Sequence, residues 1–325
     1  MKRAFITGIT GQDGSYLCDL LLSKGYQVFG LTRSLNTIHK GNLAHLVPYP
    51  GSFVKNLKIV EGSFYDPRFL EYIVQEAQPD EVYHLAAQSH PQTSFNQPEQ
   101  ALDINTRFTV RLLEINRHLK KTARFFFAST SQIFGKASGE MQDEKTAMHP
   151  VSPYAASKAC ANQMVTIYRE IYKLPCCSGI FYNHESPRRS NAFLSKKLAQ
   201  GVALIKHGKK KRLALGDLTP SRDWGWAPDY VHGMWSALQQ DTFEDYIFAT
   251  GQAHTVEDFV RNAFAAADLD WKEYVDYDEH YTSPSEPTNP CGNPAKAKEK
   301  LGWKHTLSFE EMVQKLVEYE LERLA

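Results

Sequence analysis

Short apolar runs alternate with longer stretches of helical spacing along most of the chain. Residues 4–7, 28–31, 57–60, 82–86, 125–129, 177–181 and 246–250 are runs of strand length and predict strands. Between them, Tyr16, Leu17, Leu20 and Leu21, then Val110, Leu112 and Leu113, then Ala161, Met164, Val165 and Tyr168 recur at helical spacing. This alternation predicts an α/β chain with a Rossmann-type doubly wound parallel sheet, covered by helices on both faces. The second half is more irregular, with Pro220, Pro228, Pro284, Pro287, Pro290 and Pro294 interrupting it. The expected division is a main domain over 1–182, rejoined by 226–252, and a smaller mixed α/β lobe from 183–225 and 253–325. A closing helix is predicted over 309–324, and 281–294 reads as a loop on the ligand side.

Composition narrows the class. Of 325 residues, 42% are hydrophobic and 23% charged, which is ordinary globular usage and excludes disordered or fibrous architectures. Lys plus Arg and Asp plus Glu both number 37, so the formal net charge is zero. A bulk basic field for nucleic acid is thereby excluded, though a local anion site is not. The basic run His-Gly-Lys-Lys-Lys-Arg at 207–212 lacks interleaved aromatics and reads as a solvated turn. The five cysteines, Cys18, Cys160, Cys176, Cys177 and Cys291, are odd in number and form no CxxC pair. That argues against a disulfide framework or a zinc module and for reduced thiols in a cytoplasmic protein. The first apolar run meets a glycine turn at once, so no signal peptide is expected. No apolar run reaches membrane-spanning length.

The glycine turn is the first chemical signal. Gly8, Gly11 and Gly14 follow the first predicted strand and open the first predicted helix. Glycines there let backbone amides approach a pyrophosphate, and the helix N-terminus favours its charge. Gln12 and Asp13 belong to the same turn. At the end of the second strand an acid would bind the ribose of NAD, whereas an Arg accommodates the 2′-phosphate of NADP. The chain reads Leu31-Thr32-Arg33-Ser34, so NADP is the expected cofactor, with Arg33 its discriminator.

Tyr154 and Lys158 stand four apart and therefore share one face of a helix. A nearby ammonium and a nicotinamide cation would favour the phenolate and lower the tyrosine pKa toward the working range. Upstream, Ala128-Ser129-Thr130-Ser131 ends a predicted strand, at the edge of a parallel sheet where ligands bind. Thr130 would hydrogen-bond the substrate hydroxyl that Tyr154 deprotonates.

With Leu85-Ala86-Ala87-Gln88-Ser89-His90 and Asn183-His184-Glu185-Ser186-Pro187-Arg188-Arg189, these motifs resemble the extended short-chain dehydrogenase/reductases. The latter run, with Arg222-Asp223-Trp224-Gly225 and Ala249-Thr250-Gly251, is similar specifically to the GDP-mannose 4,6-dehydratase family. The resemblance covers nearly the whole chain, through 297–304. It implies oxidation of a nucleotide sugar at C4, loss of water across C5 and C6, and hydride return to C6. It also implies that Leu85, Ala86, Lys158, His184 and Arg189 join the glycine turn at the cofactor. Ser89, Asn183, Lys196 and Arg222 would contact the substrate, the last three at its diphosphate. Glu286 would hold the guanosine ribose. The partners implied are a nucleotide sugar, a GDP-hexose first, and a second copy or more of the chain as a homodimer or homotetramer. Two stretches depart from the family: 32–42 only partly matches its Arg- and Ser-rich segment, and Ser283 to Glu286 lacks its arginine, which leaves other nucleotides open.

One departure touches the chemistry. The family's Thr-Ser-Glu motif reads Thr130-Ser131-Gln132 here. An amide can donate and accept hydrogen bonds, but it cannot take a proton from carbon as a carboxylate does. Either another group supplies the base, with His90 and Glu185 the candidates, or the enzyme stops at redox chemistry as a 4-epimerase or 4-ketoreductase. A third alternative is that Gln132 is an introduced isosteric replacement for a carboxylate. A non-catalytic nucleotide-sugar or NADP(H) sensor would keep the fold alone.

Overall fold

The computed structural model describes every residue except 37, 50–51, 136–140 and 280–289. In chain order the strands are β1 (Arg3–Thr7), β2 (Gln27–Thr32), β3 (Leu57–Glu61), β4 (Glu81–His84), β5 (Arg124–Thr130), β6 (Cys176–Phe181), β7 (Asn183–Glu185), β8 (Leu213–Leu215), β9 (Ser221–Trp226), β10 (Tyr246–Phe248), β11 (Ala253–Thr255) and β12 (Val275–Tyr277). The helices are α1 (Gln12–Ser23), α2 (Pro67–Ala77), α3 (Pro91–Asn96), α4 (Pro98–Leu102), α5 (Phe108–Arg117), α6 (Pro153–Glu170), α7 (Leu194–Lys206), α8 (Ala227–Leu238), α9 (Val256–Ala265), α10 (Trp271–Tyr274), α11 (Ala295–Leu301) and α12 (Phe309–Leu324).

Seven strands form one parallel sheet in the order β10-β6-β5-β4-β1-β2-β3. The reversal of direction between β1 and β4 is the switch point of a doubly wound sheet, where a crevice opens at the strand ends. Successive side chains of a strand point to opposite faces, and β5 shows what that demands of a sheet covered twice. Phe126 packs on one face with Leu17 and Leu21 of α1 and Met234 of α8. Phe125 and Phe127 pack on the other with Leu70 and Val74 of α2, Leu112 of α5 and Val165 of α6. An unbroken apolar run is therefore the right signature of such a strand.

Two predicted strands end earlier than expected. The run 82–86 stops pairing at His84, and 246–250 stops at Phe248, because Ala86, Thr250 and Gly251 turn aside to serve the crevice. A smaller core gathers Leu198 and Val202 of α7, Phe259 and Val260 of α9, and Phe309, Val313 and Val317 of α12 around Trp224. The small sheet β11-β9-β7 lies between this core and the main sheet. Asp223 of β9 is fully buried and accepts from Thr250 N at 2.8 Å, the Thr250 hydroxyl at 2.8 Å and Gly251 N at 2.9 Å. Among the described residues, no helix is long and apolar enough to cross a membrane.

Candidate active site

The chain leaves β1 and turns at Gly8, whose φ of +75° lies in the left-handed region that favours glycine. A Cβ there would stand 2.8 Å from Ala86 N, and one at Gly14 would stand 2.3 Å from Gly8 O. Gly11 N donates back to Gly8 O at 3.0 Å and caps α1. The turn thus presents bare backbone at a helix N-terminus, the form a diphosphate needs.

Gln12 and Asp13 are engaged with the segment 182–186. Gln12 Nε2 donates to the His184 carbonyl at 3.1 Å, and the Ser186 hydroxyl donates to Gln12 Oε1 at 2.8 Å. His184 Nε2 meets Asp13 Oδ2 at 2.9 Å, and its Nδ1 faces the Tyr182 carbonyl at 2.8 Å. With an acceptor at each nitrogen, the ring is held as an imidazolium. Burial alone would lower its pKa, but the Asp13 carboxylate outweighs burial and raises it; Asp13 is held below the usual carboxylate range in return. The ring also stacks on Tyr230 with centroids 4.6 Å apart.

Across the crevice, Ser152 caps α6 by accepting from Ala155 N, and Pro153 occupies the first turn, so Tyr154 enters at the helix start. Thr130, the last residue of β5, sits close enough to the buried Tyr154 phenol to oppose the rise in its pKa. Lys158, one turn on, donates from Nζ to the Ala128 carbonyl at 2.7 Å. Burial raises the Tyr154 pKa, opposed by the Thr130 hydroxyl and the Arg189 charge. Burial lowers that of Lys158 to about 7, so its ammonium is only partly populated at neutral pH. The side chains alone therefore do not produce a phenolate at neutral pH.

Three buried residues that the sequence did not single out hold this geometry. Asn105 donates to Ser157 Oγ at 2.9 Å, and Ser157 donates to the Tyr154 carbonyl at 2.7 Å. Thr7 Oγ1 accepts from Ala86 N at 3.2 Å and meets His84 Nδ1 at 2.7 Å. Thr7 closes a run read only for its apolar neighbours, Asn105 and Ser157 lie outside the runs, and a satisfied buried polar residue leaves no periodic trace.

The remaining expected residues divide. Leu85 and Ala86 line the glycine turn, Leu85 N donating to the Thr7 carbonyl at 3.2 Å. Ser89 and Arg33 are exposed, the latter just past β2. Asn183 opens β7 beside Trp224, and the Arg222 guanidinium lies 5.8 Å from the Trp224 ring. Arg189 Nε lies 3.1 Å from the Glu185 carboxylate, which also accepts from Ser195 at 2.5 Å. Glu185 is 2% exposed and doubly engaged, which leaves it poorly placed as a substitute base. His90 is half-buried, with its ring 5.8 Å from that of Phe193. Lys196, expected at the diphosphate, is instead buried: its Nζ forms an ion pair with Glu320 of α12 and donates to the Pro187 carbonyl at 2.7 Å. Glu286 lies outside the described residues.

The sequence model of the family described as GDP-mannose 4,6 dehydratase matches residues 5–316. The chain belongs to that family. It is 43% identical to GDP-mannose 4,6 dehydratase 2 of Arabidopsis thaliana, over 99% of this chain and 87% of the relative. It is 39% identical to the GDP-mannose 4,6 dehydratase of Homo sapiens, over 98% and 91%. In fold it is similar to a dTDP-glucose 4,6-dehydratase from Bacillus anthracis solved with NAD, at TM-score 0.84 and 22% identity over 99% and 97% of the two chains. It is also similar to a UDP-glucuronic acid 4-epimerase from Bacillus cereus, at TM-score 0.85 and 23% identity over both whole chains. Gln132 follows Thr130 and Ser131 directly after β5. Its backbone N–H donates to Thr130 Oγ1 at 3.3 Å in a short turn, Ser131–Phe134, which fixes the Gln132 backbone beside Thr130.

Proposed function

We propose that the chain is an NADP-dependent enzyme that modifies a nucleotide-activated hexose, a GDP-hexose of the mannose type, by GDP-mannose 4,6-dehydratase chemistry. The observation that supports this best is the Tyr154 phenol under the Thr130 hydroxyl, opposite the bare backbone of Gly8 to Gly14. The residues fit a nicotinamide dinucleotide: the turn has no room for a Cβ at Gly8 or Gly14, and the buried Ser129 hydroxyl lacks a partner among the described residues. Gly8, Gly11, Gly14, Ala86 and Lys158 would hold it, with the exposed Arg33 at the 2′-phosphate. Bound in its oxidised form, the dinucleotide supplies the hydride acceptor and a positive ring charge.

Tyr154 takes the proton of the C4 hydroxyl while Thr130 donates to the same oxygen. Lys158, once given a ribose hydroxyl in place of the Ala128 carbonyl, fixes the cofactor relative to the phenol. The C4 ketone then acidifies C5–H, water leaves across C5 and C6, and C6 takes back the hydride given up at C4 while C5 takes a proton, so the net change is the loss of one water. Arg188, Arg189 and Arg222 supply forked donors of the kind that match phosphate. The five free cysteines support a reducing, cytoplasmic setting, and a homodimer or homotetramer is the expected assembly.

Gln132 supports a second reading, in which chemistry ends at the C4 ketone and the enzyme is a 4-epimerase or 4-ketoreductase. The deciding experiment incubates the purified protein with GDP-mannose and NADP⁺ and reads products by mass spectrometry and NMR. A product one water lighter supports dehydration. A C4-inverted or C4-keto sugar that retains its water supports the second reading, and no turnover of any nucleotide sugar overturns both.

A further inference from the structure

The segment carrying Asn183 to Arg189 runs along the glycine turn and α1 in a continuous polar seam. Besides the Gln12, Asp13, His184 and Ser186 bonds, Arg188 Nη1 donates to Ser15 Oγ at 3.2 Å and pairs with Asp19 at 2.7 Å. Its guanidinium lies 4.0 Å from the Tyr16 ring centre. The half-buried Asn42 crosses the seam: Asn42 Nδ2 donates to the Thr10 carbonyl at 3.3 Å and to the Arg188 carbonyl at 3.1 Å. Its neighbour Leu43, 1% exposed, anchors it in the core beside α1. One amide group therefore spends both hydrogens on two carbonyls, one in the glycine turn expected at the dinucleotide and one in the segment whose Asn183 is expected at the nucleotide sugar and whose His184 and Arg189 are expected at the dinucleotide.

We propose that Asn42 couples the two ligand sites, so that dinucleotide and nucleoside diphosphate each bind more tightly when the other is present. The inference rests on the functional reading above and adds a positioning residue to it. Asn42 makes both bonds only when Thr10 and Arg188 stand at one fixed separation. A ligand that orders either carbonyl's backbone leaves less ordering for the other ligand to impose. Coupling of this kind is reciprocal by linkage. The Gln12–Ser186 bond, made by groups on the same two segments, works in the same sense.

The test is binding, not turnover. NADPH fluorescence titrations give its Kd with and without saturating GDP, for the full chain and for Asn42→Ala, Asn42→Asp and Ser186→Ala. The native chain is expected to bind NADPH at least about five-fold more tightly with GDP present, the lower end of ordinary coupling. The two Asn42 variants should bring that ratio close to one while the Kd for NADPH alone changes little, and Ser186→Ala should lower it in part. A ratio of one in the native chain overturns the proposal, as does an undiminished ratio in variants whose thermal melts show them folded. If the Asn42 variants do not fold, an undiminished ratio in Ser186→Ala overturns the seam as the coupling route. Failure of the native chain to bind NADPH at all overturns the functional reading, and the coupling with it.

Discussion

Lys158 Nζ donates to the Ala128 carbonyl at 2.7 Å, tying the lysine to the end of β5. Burial holds its pKa at about 7, against 10.5 for the unfolded side chain. The unfolded chain then binds more protons between those values, so this group makes stability rise with pH from about 7 to about 10.5. Below about pH 7 the cost of the buried ammonium is fully present. Lys158→Met is therefore expected to melt higher than the native protein at about pH 6 while losing roughly 100-fold or more in NADP⁺ reduction. Differential scanning calorimetry and single-turnover absorbance check the two arms, and a lower melting temperature at that pH would sink the argument.

Gln132→Glu restores a carboxylate next to Thr130. If the missing base limits elimination, the variant should gain about 10² to 10⁴ in the rate of water loss. With GDP-mannose in D₂O, deuterium at C5 of the product reports that step. Equal rates in the two proteins would show that another group, or no group, serves as the base.

The Lys196–Glu320 pair is buried on both sides, at 8% and 1% side-chain exposure. Glu320→Gln leaves the Lys196 ammonium without its countercharge and should cost about 3–5 kcal/mol of unfolding free energy. The double replacement Lys196→Met with Glu320→Leu should recover most of that loss. Urea titrations decide it. Should Lys196→Met instead weaken GDP binding with little change in stability, Lys196 serves the diphosphate and the pair opens on binding.

Gly14→Ala places a methyl 2.3 Å from Gly8 O, where only backbone can yield. The expected loss is about 1–3 kcal/mol of stability, the usual cost of overpacking. NADPH binding should fall below detection, because Gly8 cannot move without disturbing Ala86. Tight binding by a folded variant would remove this turn from the cofactor site.

The Asp13–His184 pair sets a pH window. Asp13 is lowered in the fold from 3.8, so its stabilisation is present above 3.8 and is lost as pH falls through the lowered value. His184 is raised from 6.5, so its stabilisation is full below 6.5 and is lost as pH rises through the raised value. Arg189 works against the imidazolium, and the buried Tyr230 against which the ring stacks carries no charge in this range. The melting-temperature gap between the native chain and His184→Gln should therefore be widest between about pH 4 and 6.5 and narrow above it. A gap that widens toward pH 8 would contradict the assigned imidazolium.

Local pattern fixed much of this protein. Seven largely apolar runs became the seven strands of the main sheet, because a strand covered on both faces has few positions that reach water; only the edge strand β3 exposes a side chain, Lys58, within its run. The Gly8 to Gly14 turn and the Tyr154/Lys158 pair were legible because each is a contiguous signal with one steric or helical reason. The family, too, was readable from unbroken motifs such as Asn183 to Arg189. What the sequence could not disclose was where long side chains spend their charge. Lys196 was expected at the diphosphate by family resemblance, and its burial against Glu320, 124 residues later, left no trace in the local sequence. The direction of the Tyr154 shift was decided the same way, since burial depends on everything packed around a group. Asn42, Asn105 and Asp223 have roles defined wholly by carbonyls and amides distant in sequence. The chain alone determined the main-sheet strands, the glycine turn and the shared helix face of Tyr154 and Lys158; the tertiary structure decided charge, burial and partnership, because those energies arise between residues that only folding brings together.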